Sequence, residues 1–398
     1  MTIYLNKPGV ISSIGVGIEE SLANLFSPQK NYLTRRADFG VGERYFGQIN
    51  PQHLRAFPDD LKAEFRGINN QILWTACGQI EEQIADVVER YGKKRVAVVV
   101  GTSCSGVDEN LPIFQNVVAG GGWSDIAISR AHQIMSAPAD FLCHMYELDF
   151  AYGISTACTS GARAIISAAR MLQAGLADAV IAAGVDNLSQ LTIAGFNSLS
   201  VLSKGICEPF CQGRDGINIG EAAAVFMMTR ENLYDGLPLL SWGASSDAFH
   251  MSSPDPSAKG AKLAFQAALN KANLEPTDIS YINLHGTGTE LNDAMESKAV
   301  AEIFPAIYAS TSKNLTGHTL GASGALEAAF IWAAVSRKFN PEGKLPVQVF
   351  AQTSVIDEKL PQLRWTDKNS RFENNRRIAA SSNFAFGGNN SVVIIGEE

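Results

Sequence analysis

Cys158 stands in "ISTACTSGARAI" (154–165), between a stretch that reads as the end of a strand and one that reads as a helix with small residues at its entry. A thiol at such a junction sits at a helix N-terminus, where the dipole and free backbone N–H groups favour thiolate. Its small neighbours leave room for a substrate to reach the sulfur. Three readings are open at this point: interior filler, metal ligand or nucleophile.

Three further stretches carry reactive side chains. His285 lies in "NLHGTGTELNDAMES" (283–297), after a strand and before a loop offering the hydroxyls of Thr287 and Thr289, suited to a polar, extended ligand arm. Asp293 and Glu296 follow, read as acids opening a helix, as first-turn acids do. Lys313 and His318 flank a turn of small residues in "STSKNLTGHTLGASGALEAA" (310–329). A lysine beside a histidine lowers the imidazole's proton affinity and keeps it neutral. Glu327 either orients Lys313 or faces solvent. In "SSNFAFGGNNSVVII" (381–395), Phe384 and Phe386 precede Gly387-Gly388, a loop whose amides can come close to a substrate. A thiol, two histidines, a lysine and a glycine-rich amide loop together fit acyl transfer through a thioester better than metal or redox chemistry.

Positioning these groups requires a layered scaffold. The stretches 95–101, 178–184 and 391–396 are near-continuous apolar runs, as in strands covered on both faces. Helical patterns, including 161–172 and 261–272, lie between them. The alternation predicts an α/β fold with mainly parallel pairing. "VAVVVGTSCSG" followed by "ISTACTSGARAIISAARMLQAG" is echoed by "ISYINLHGTGT" followed by "STSKNLTGHTLGASGALEAAFIWAAVSRK", which suggests two related halves. "SSPDPSAKG" (252–260) reads as a long surface loop by its proline and serine content.

The bulk numbers agree. The 398 residues suit two domains or two halves sharing a core, and a net charge of −8 argues against a general nucleic-acid binder. Six cysteines are too few for a disulfide framework, and Cys207-x3-Cys211 lacks the histidines of a zinc site. "MTIYLNKPGVISSIG" has no secretory-signal pattern, and the most apolar segments fall short of the roughly 18 residues of a membrane span. The expectation is a cytoplasmic protein without a membrane span.

These stretches, in this order, closely resemble the β-ketoacyl-[acyl carrier protein] synthases of the elongating type. "TACTSG" looks like the family's nucleophile motif, "HGTGT" its first histidine motif, "SKNLTGHTLGASGALE" its lysine-histidine motif and "NFAFGGNN" its gating loop; "RDGINIGEAAAV" (214–225) and "SSDAFHMSSP" (245–254) match further. The resemblance implies a thiolase-like fold, two similar α/β halves in a five-layer α-β-α-β-α arrangement. The halves would be residues 1–240, with the nucleophile, and 241–398, with the histidines and lysine. It implies that Cys158 takes an acyl group from acyl carrier protein, and that His285 and His318 promote decarboxylation of malonyl carrier protein. Amides of Cys158 and Phe386 would form the oxyanion hole. Lys313 and Glu327 would organise the site, Thr287 and Thr289 would hold the phosphopantetheine arm, Phe384 would bind substrate and Phe386 would gate the acyl pocket. No metal or resident cofactor is implied, the phosphopantetheine arriving on its carrier. The implied assembly is a homodimer, or a heterodimer with a related ketosynthase or chain-length factor. Carrier docking would use basic residues, with Lys62, Arg66 and Lys204 as candidates.

Some positions depart from the family pattern. Ala385 stands where a glycine is usual, which restricts positive φ, and Asn389 where a threonine is usual. Cys211 stands where aspartate is common. The loop 101–110 is short, placing Val107 at the floor of the acyl pocket. These differences point to a specialised elongase for polyketide- or aryl-polyene-like chains, with housekeeping fatty-acid elongation as the alternative. A non-catalytic chain-length-factor-like subunit is disfavoured by the reactive residues present. A thiolase acting on coenzyme A esters is disfavoured because "NFAFGGNN" lacks a second cysteine.

Overall fold

The computed structural model describes residues 1–29, 31–122, 128–351 and 353–397. Its main sheet is built from β1 (Tyr4–Leu5), β2 (Gly9–Ser12), β3 (Val96–Gly101), β4 (Phe150–Ile154), β5 (Ala179–Asp186), β6 (Ala222–Thr229), β7 (Leu237–Ser246), β8 (Tyr281–Asn283), β9 (Tyr308–Ser310), β10 (Arg364–Trp365), β11 (Ile378–Ala385) and β12 (Asn389–Gly396). The helices that matter are α1 (Ile68–Gly78), α2 (Glu81–Tyr91), α3 (Ala137–Met145), α4 (Ser160–Gln173), α5 (Gln190–Ser198), α6 (Lys259–Ala272), α7 (Glu290–Ile303), α8 (Lys313–Thr316) and α9 (Ser323–Val335). Among the described residues no helix is long and apolar enough to cross a membrane.

The sheet repeats one motif twice. In the first half the order is β4-β3-β5-β6-β2, and in the second it is β9-β8-β11-β12-β7. In each, the first two pairings are parallel and the last two antiparallel. The two halves join through β1, which pairs antiparallel with both β6 and β7. The expected mainly parallel pairing is therefore corrected to mixed: antiparallel neighbours need no crossover helix between them, and two of the four pairings in each half are antiparallel. Residue 240 falls inside β7, the first strand of the second half, so the chain passes between halves before it, after Thr229.

Strand alternation builds the layers. Val96, Val98 and Val100 of β3 face one core with Ile72 of α1, Ile84 of α2 and Phe141 of α3, while Ala97 and Val99 face another. That second core is the middle layer, where α4 and α9 lie between the half-sheets. Ile282, Ala380 and Val392 face a third core with α6 and α7. Five layers result, α-β-α-β-α. All thirteen residues of α9 are buried, as a helix enclosed on every side must be. Its alanine content permits close packing on α4: a Cβ on Gly161 would lie 2.8 Å from the backbone nitrogen of Ala325.

Candidate active site

Cys158 is delivered by a tight reversal between β4 and α4. Ala157 takes the left-handed conformation at φ 51°, a strained choice for a residue with a Cβ. Ser160 holds the turn, its Oγ accepting from the Thr156 amide (2.9 Å) and donating to the Ala157 carbonyl (2.6 Å). The sulfur is thereby set at the floor of a cavity of about 450 Å³, with His285, His318, Phe384 and Phe386 also in its wall.

His318 reaches the sulfur directly, with Nε2 at 3.1 Å from Sγ. Its other ring nitrogen lies 3.1 Å from Ser323 Oγ at the start of α9. Its backbone is clamped by the 214–225 stretch: the His318 amide donates to the Asn218 carbonyl (2.6 Å), and the Gly220 amide donates to the His318 carbonyl (3.0 Å). His285 stands edge-on to His318, ring centres 5.0 Å apart, and edge-on to Phe384 at 6.1 Å. Both ring nitrogens of His285 are buried without a hydrogen-bond partner. A neutral ring carries one N–H donor and one bare nitrogen, and both are left without a protein partner beside the cavity that the ring lines.

Glu296, read from sequence as a first-turn acid, instead points inward. Its carboxylate accepts from the amides of His285 and Gly286, each at 2.7 Å, and from Ser382 Oγ at 2.9 Å. Asp293 likewise accepts from the Phe210 amide (2.8 Å) and the Gly288 amide (3.3 Å). The face of α7 that packs on the preceding loop carries Asp293 and Glu296 to that loop's amides while Glu290 stays exposed, and burial raises Asp293 to about 6 and Glu296 to about 7. Lys313 is buried and paired with Glu327, which also accepts from Asn383 Nδ2 at 2.6 Å. Glu327 thus faces the lysine and not solvent.

Electrostatics differ in one respect from the sequence expectation. Burial pushes the Cys158 thiol up to about 12, against the lowering influence of Lys313 and of the Phe386 and Cys158 amides. Desolvation outweighs the helix terminus, so the resting sulfur is a thiol. Both histidines are held well below the usual imidazole range, by burial first and Lys313 second. They rest as neutral rings, as expected, though with burial as the larger cause.

Thr287 and Thr289 line the cavity, their hydroxyls 3.0 Å apart. Ser252–Pro254, part of the expected surface loop, lines it too. Val107 does not. It opens a short turn whose next residue, Asp108, accepts from Ser189 Oγ (2.7 Å) and the Gln190 amide (2.6 Å), and that anchorage sets Val107 outside this cavity's lining. Phe196 of α5, unnoticed in the sequence, lines the cavity instead, with its ring 5.6 Å from that of Phe386. Ala385 ends β11 in register with Asn389, so its missing positive φ costs nothing; Gly387 and Gly388 supply φ 83° and 75°. Lys62 and Arg66 flank a turn that packs Phe65 on Phe141 in the outer helical layer, and Arg66 spends its guanidinium on the carbonyls of Pro58, Asp59 and Leu61. Lys204 is exposed, its amide donating to Asp215 at the cavity wall.

Comparison with known proteins bears on this constellation. Residues 81–233 match the family model described as "Beta-ketoacyl synthase, N-terminal domain", and residues 238–343 its C-terminal counterpart. Over 257 residues, 60% of this chain and 61% of the relative, the chain is 33% identical to 3-oxoacyl-[acyl-carrier-protein] synthase 2 of Staphylococcus aureus. Over 259 residues it is 33% identical to the mitochondrial 3-oxoacyl-[acyl-carrier-protein] synthase of Arabidopsis thaliana, covering 60% of this chain and 54% of the relative. The matched part thus spans less than two thirds of these curated relatives. Along its whole length the chain is similar to a solved ketosynthase, ApeO, in complex with its chain length factor, ApeC, from Xenorhabdus doucetiae: 39% identity, TM-score 0.91, covering 100% of this chain and 98% of that one. A β-ketoacyl synthase from Burkholderia phymatum shares the fold at 24% identity and TM-score 0.84, covering 100% and 99%.

Proposed function

The chain belongs to the β-ketoacyl synthase family, and from that premise we propose that it extends an acyl chain by two carbons, condensing malonyl carrier protein with an acyl group held on Cys158. One observation carries the reading: a thiol 3.1 Å from one neutral imidazole, with a second imidazole edge-on to the first and its nitrogens free. Sulfur is needed to hold the acyl group, and two uncharged N–H donors are needed for the enolate oxygen that forms as CO2 leaves.

In the first half-reaction Sγ attacks the carrier thioester carbonyl as the thiol proton passes to His318 Nε2. The Cys158 and Phe386 amides, which face the sulfur, stabilise the oxyanion. The departing carrier thiol recovers the proton. In the second, malonyl thioester loses CO2, its enolate oxygen accepts from His285 and His318, its carbon attacks the acyl-Cys158 carbonyl, and the acyl C–S bond breaks to release the Cys158 thiolate, which takes a proton from water to restore the thiol. Ser323 Oγ, which can donate or accept, matches either tautomer of His318. Burial first, and the Lys313 charge second, keep both rings neutral. Thr287 and Thr289 hold the phosphopantetheine arm, a substrate group rather than a resident cofactor.

The likeness to ApeO with ApeC supports a working unit in which this chain is the catalytic subunit beside a related chain-length factor. The triad disfavours the role of a catalytically silent partner. The test offers a panel of acyl carrier thioesters with malonyl carrier, with and without a co-expressed partner, and reads product lengths. Absence of any β-ketoacyl product in every arm would sink the proposal.

A further inference from the structure

The atoms that suit acyl transfer also meet the requirements of a metal site. The ligand atoms of Cys158, His285 and His318 all lie within 4.8 Å of one another, and among the described residues this is the cluster of His, Cys, Asp or Glu so disposed. A tetrahedral Zn²⁺ with bonds of about 2.3 Å to sulfur and about 2.0–2.1 Å to nitrogen sets its ligand atoms roughly 3.5 Å apart. Cys158 Sγ and His318 Nε2, at 3.1 Å, need to part by only a few tenths of an ångström. His285 must then swing one nitrogen inward, and that ring, 1% exposed, has no hydrogen bond to break.

Two surroundings strengthen the set. Ser323 Oγ at 3.1 Å from His318 Nδ1 holds the ring by its far nitrogen, as outer partners of metal-binding histidines do. The cavity above the three atoms leaves a fourth position for water. The nearby Lys313 ammonium opposes any cation, but its charge is matched by Glu327. One sulfur and two imidazoles suit thiophilic ions and reject Mg²⁺ or Ca²⁺.

We propose that Cys158, His285 and His318 form a reversible inhibitory site for one thiophilic divalent cation, of the class of Zn²⁺ and Cd²⁺. Binding breaks the Cys158 S–H bond, releases that proton to solvent and forms one sulfur–metal and two nitrogen–metal bonds, with no change in oxidation state. It occupies the nucleophile and takes one ring nitrogen of each histidine as a lone-pair ligand, so both half-reactions stop together. The site does not depend on the condensing role, because the three atoms and their spacing define it.

Titration of the full chain with Cd²⁺, followed by the ultraviolet thiolate-to-cadmium band, should give one ion per chain. The band should vanish in Cys158→Ser. His285→Ala and His318→Ala, which keep the sulfur, should weaken binding by about 100-fold, and Ser323→Ala by about 10-fold. In parallel, Zn²⁺ should protect Cys158 from iodoacetamide, as read by peptide mass spectrometry. EDTA should reverse the protection and Mg²⁺ should have no effect. Cys143, half-buried in the outer helical layer, is the internal control whose labelling Zn²⁺ leaves unchanged. An undiminished band in Cys158→Ser, or equal labelling of Cys158 with and without Zn²⁺, overturns the proposal. Neither readout involves acyl transfer, so failure here and failure of the condensing reading are separable.

Discussion

His318 Nε2 lies 3.1 Å from Cys158 Sγ although 160 residues separate them in the chain. The contact exists because α4 and α9, which begin just after these residues, pack against each other in the middle layer. It supports the proposal that His318 serves both half-reactions and His285 the second.

His285→Ala should therefore abolish condensation while acyl transfer to Cys158 stays near wild type. His318→Ala should abolish condensation and slow acylation by about 10²-fold, leaving it detectable. Intact-mass spectrometry of the acyl-enzyme separates the two, and cerulenin should add once to wild type and not to Cys158→Ala. Equal loss of acylation in both histidine variants would contradict the division.

Lys313→Ala leaves Glu327 as a buried carboxylate without its cation. Breaking such a pair costs about 3–5 kcal/mol, and thermal or urea unfolding should register it. Replacing both, as Lys313→Met with Glu327→Leu, should recover most of that stability without recovering condensation, because the charge that adds to burial in keeping the histidines neutral, and that favours the Cys158 thiolate, is gone. Recovery of activity by the double variant would remove the pair from the mechanism.

Stability should respond to acid through two opposed sets of groups. The folded state keeps both histidines neutral, whereas the unfolded chain protonates each below about pH 6.5. The unfolded state then binds more protons, and stability falls as pH falls through that value. Glu296 acts the other way: raised from 4.5 to about 7, it holds a proton in the folded state that the unfolded chain has lost. Its contribution is full below pH 4.5 and is lost as pH rises through about 7. Glu296→Gln cannot titrate, so its melting temperature should fall more steeply than that of wild type between about pH 7 and pH 5. Parallel curves would refute the assignment.

Gly387 holds φ 83°, where a Cβ is strained by about 1–2 kcal/mol. Gly387→Ala should displace the adjoining Phe386 amide and lower the rate of Cys158 acylation by about 10-fold or more, one donor of the oxyanion hole being moved. Ala385→Gly, on extended backbone paired with Asn389, should leave that rate within about twofold of wild type, since strand positions away from special features tolerate change. Stopped-time acylation assays on both variants measure the contrast.

The reactive residues were legible because each stands in a short run whose local geometry its own sequence dictates. Small residues around Cys158 predict a turn into a helix, and glycines after His285 and Phe386 predict loops. Asp293 does lie in the first turn of α7 and Glu296 one turn further, but their inward role was not legible, for the converse reason. As exposed first-turn acids and as buried acceptors for loop amides they have the same sequence, and only the packing of α7 against the His285 loop distinguishes the two. Val107 and Phe196 exchanged places at the cavity wall because a loop's direction depends on its anchors, here Asp108 on the start of α5.

By itself, then, the amino-acid order determined the strand and helix segments, their alternation and which side chains could react, all being consequences of periodicity and turn chemistry within a few residues. The tertiary structure alone decided how the strands pair, that the sulfur rests as a thiol, and which buried acids brace the histidine loop. Those outcomes depend on desolvation and on hydrogen bonds between segments tens to hundreds of residues apart, and such quantities have no value until the layers are packed.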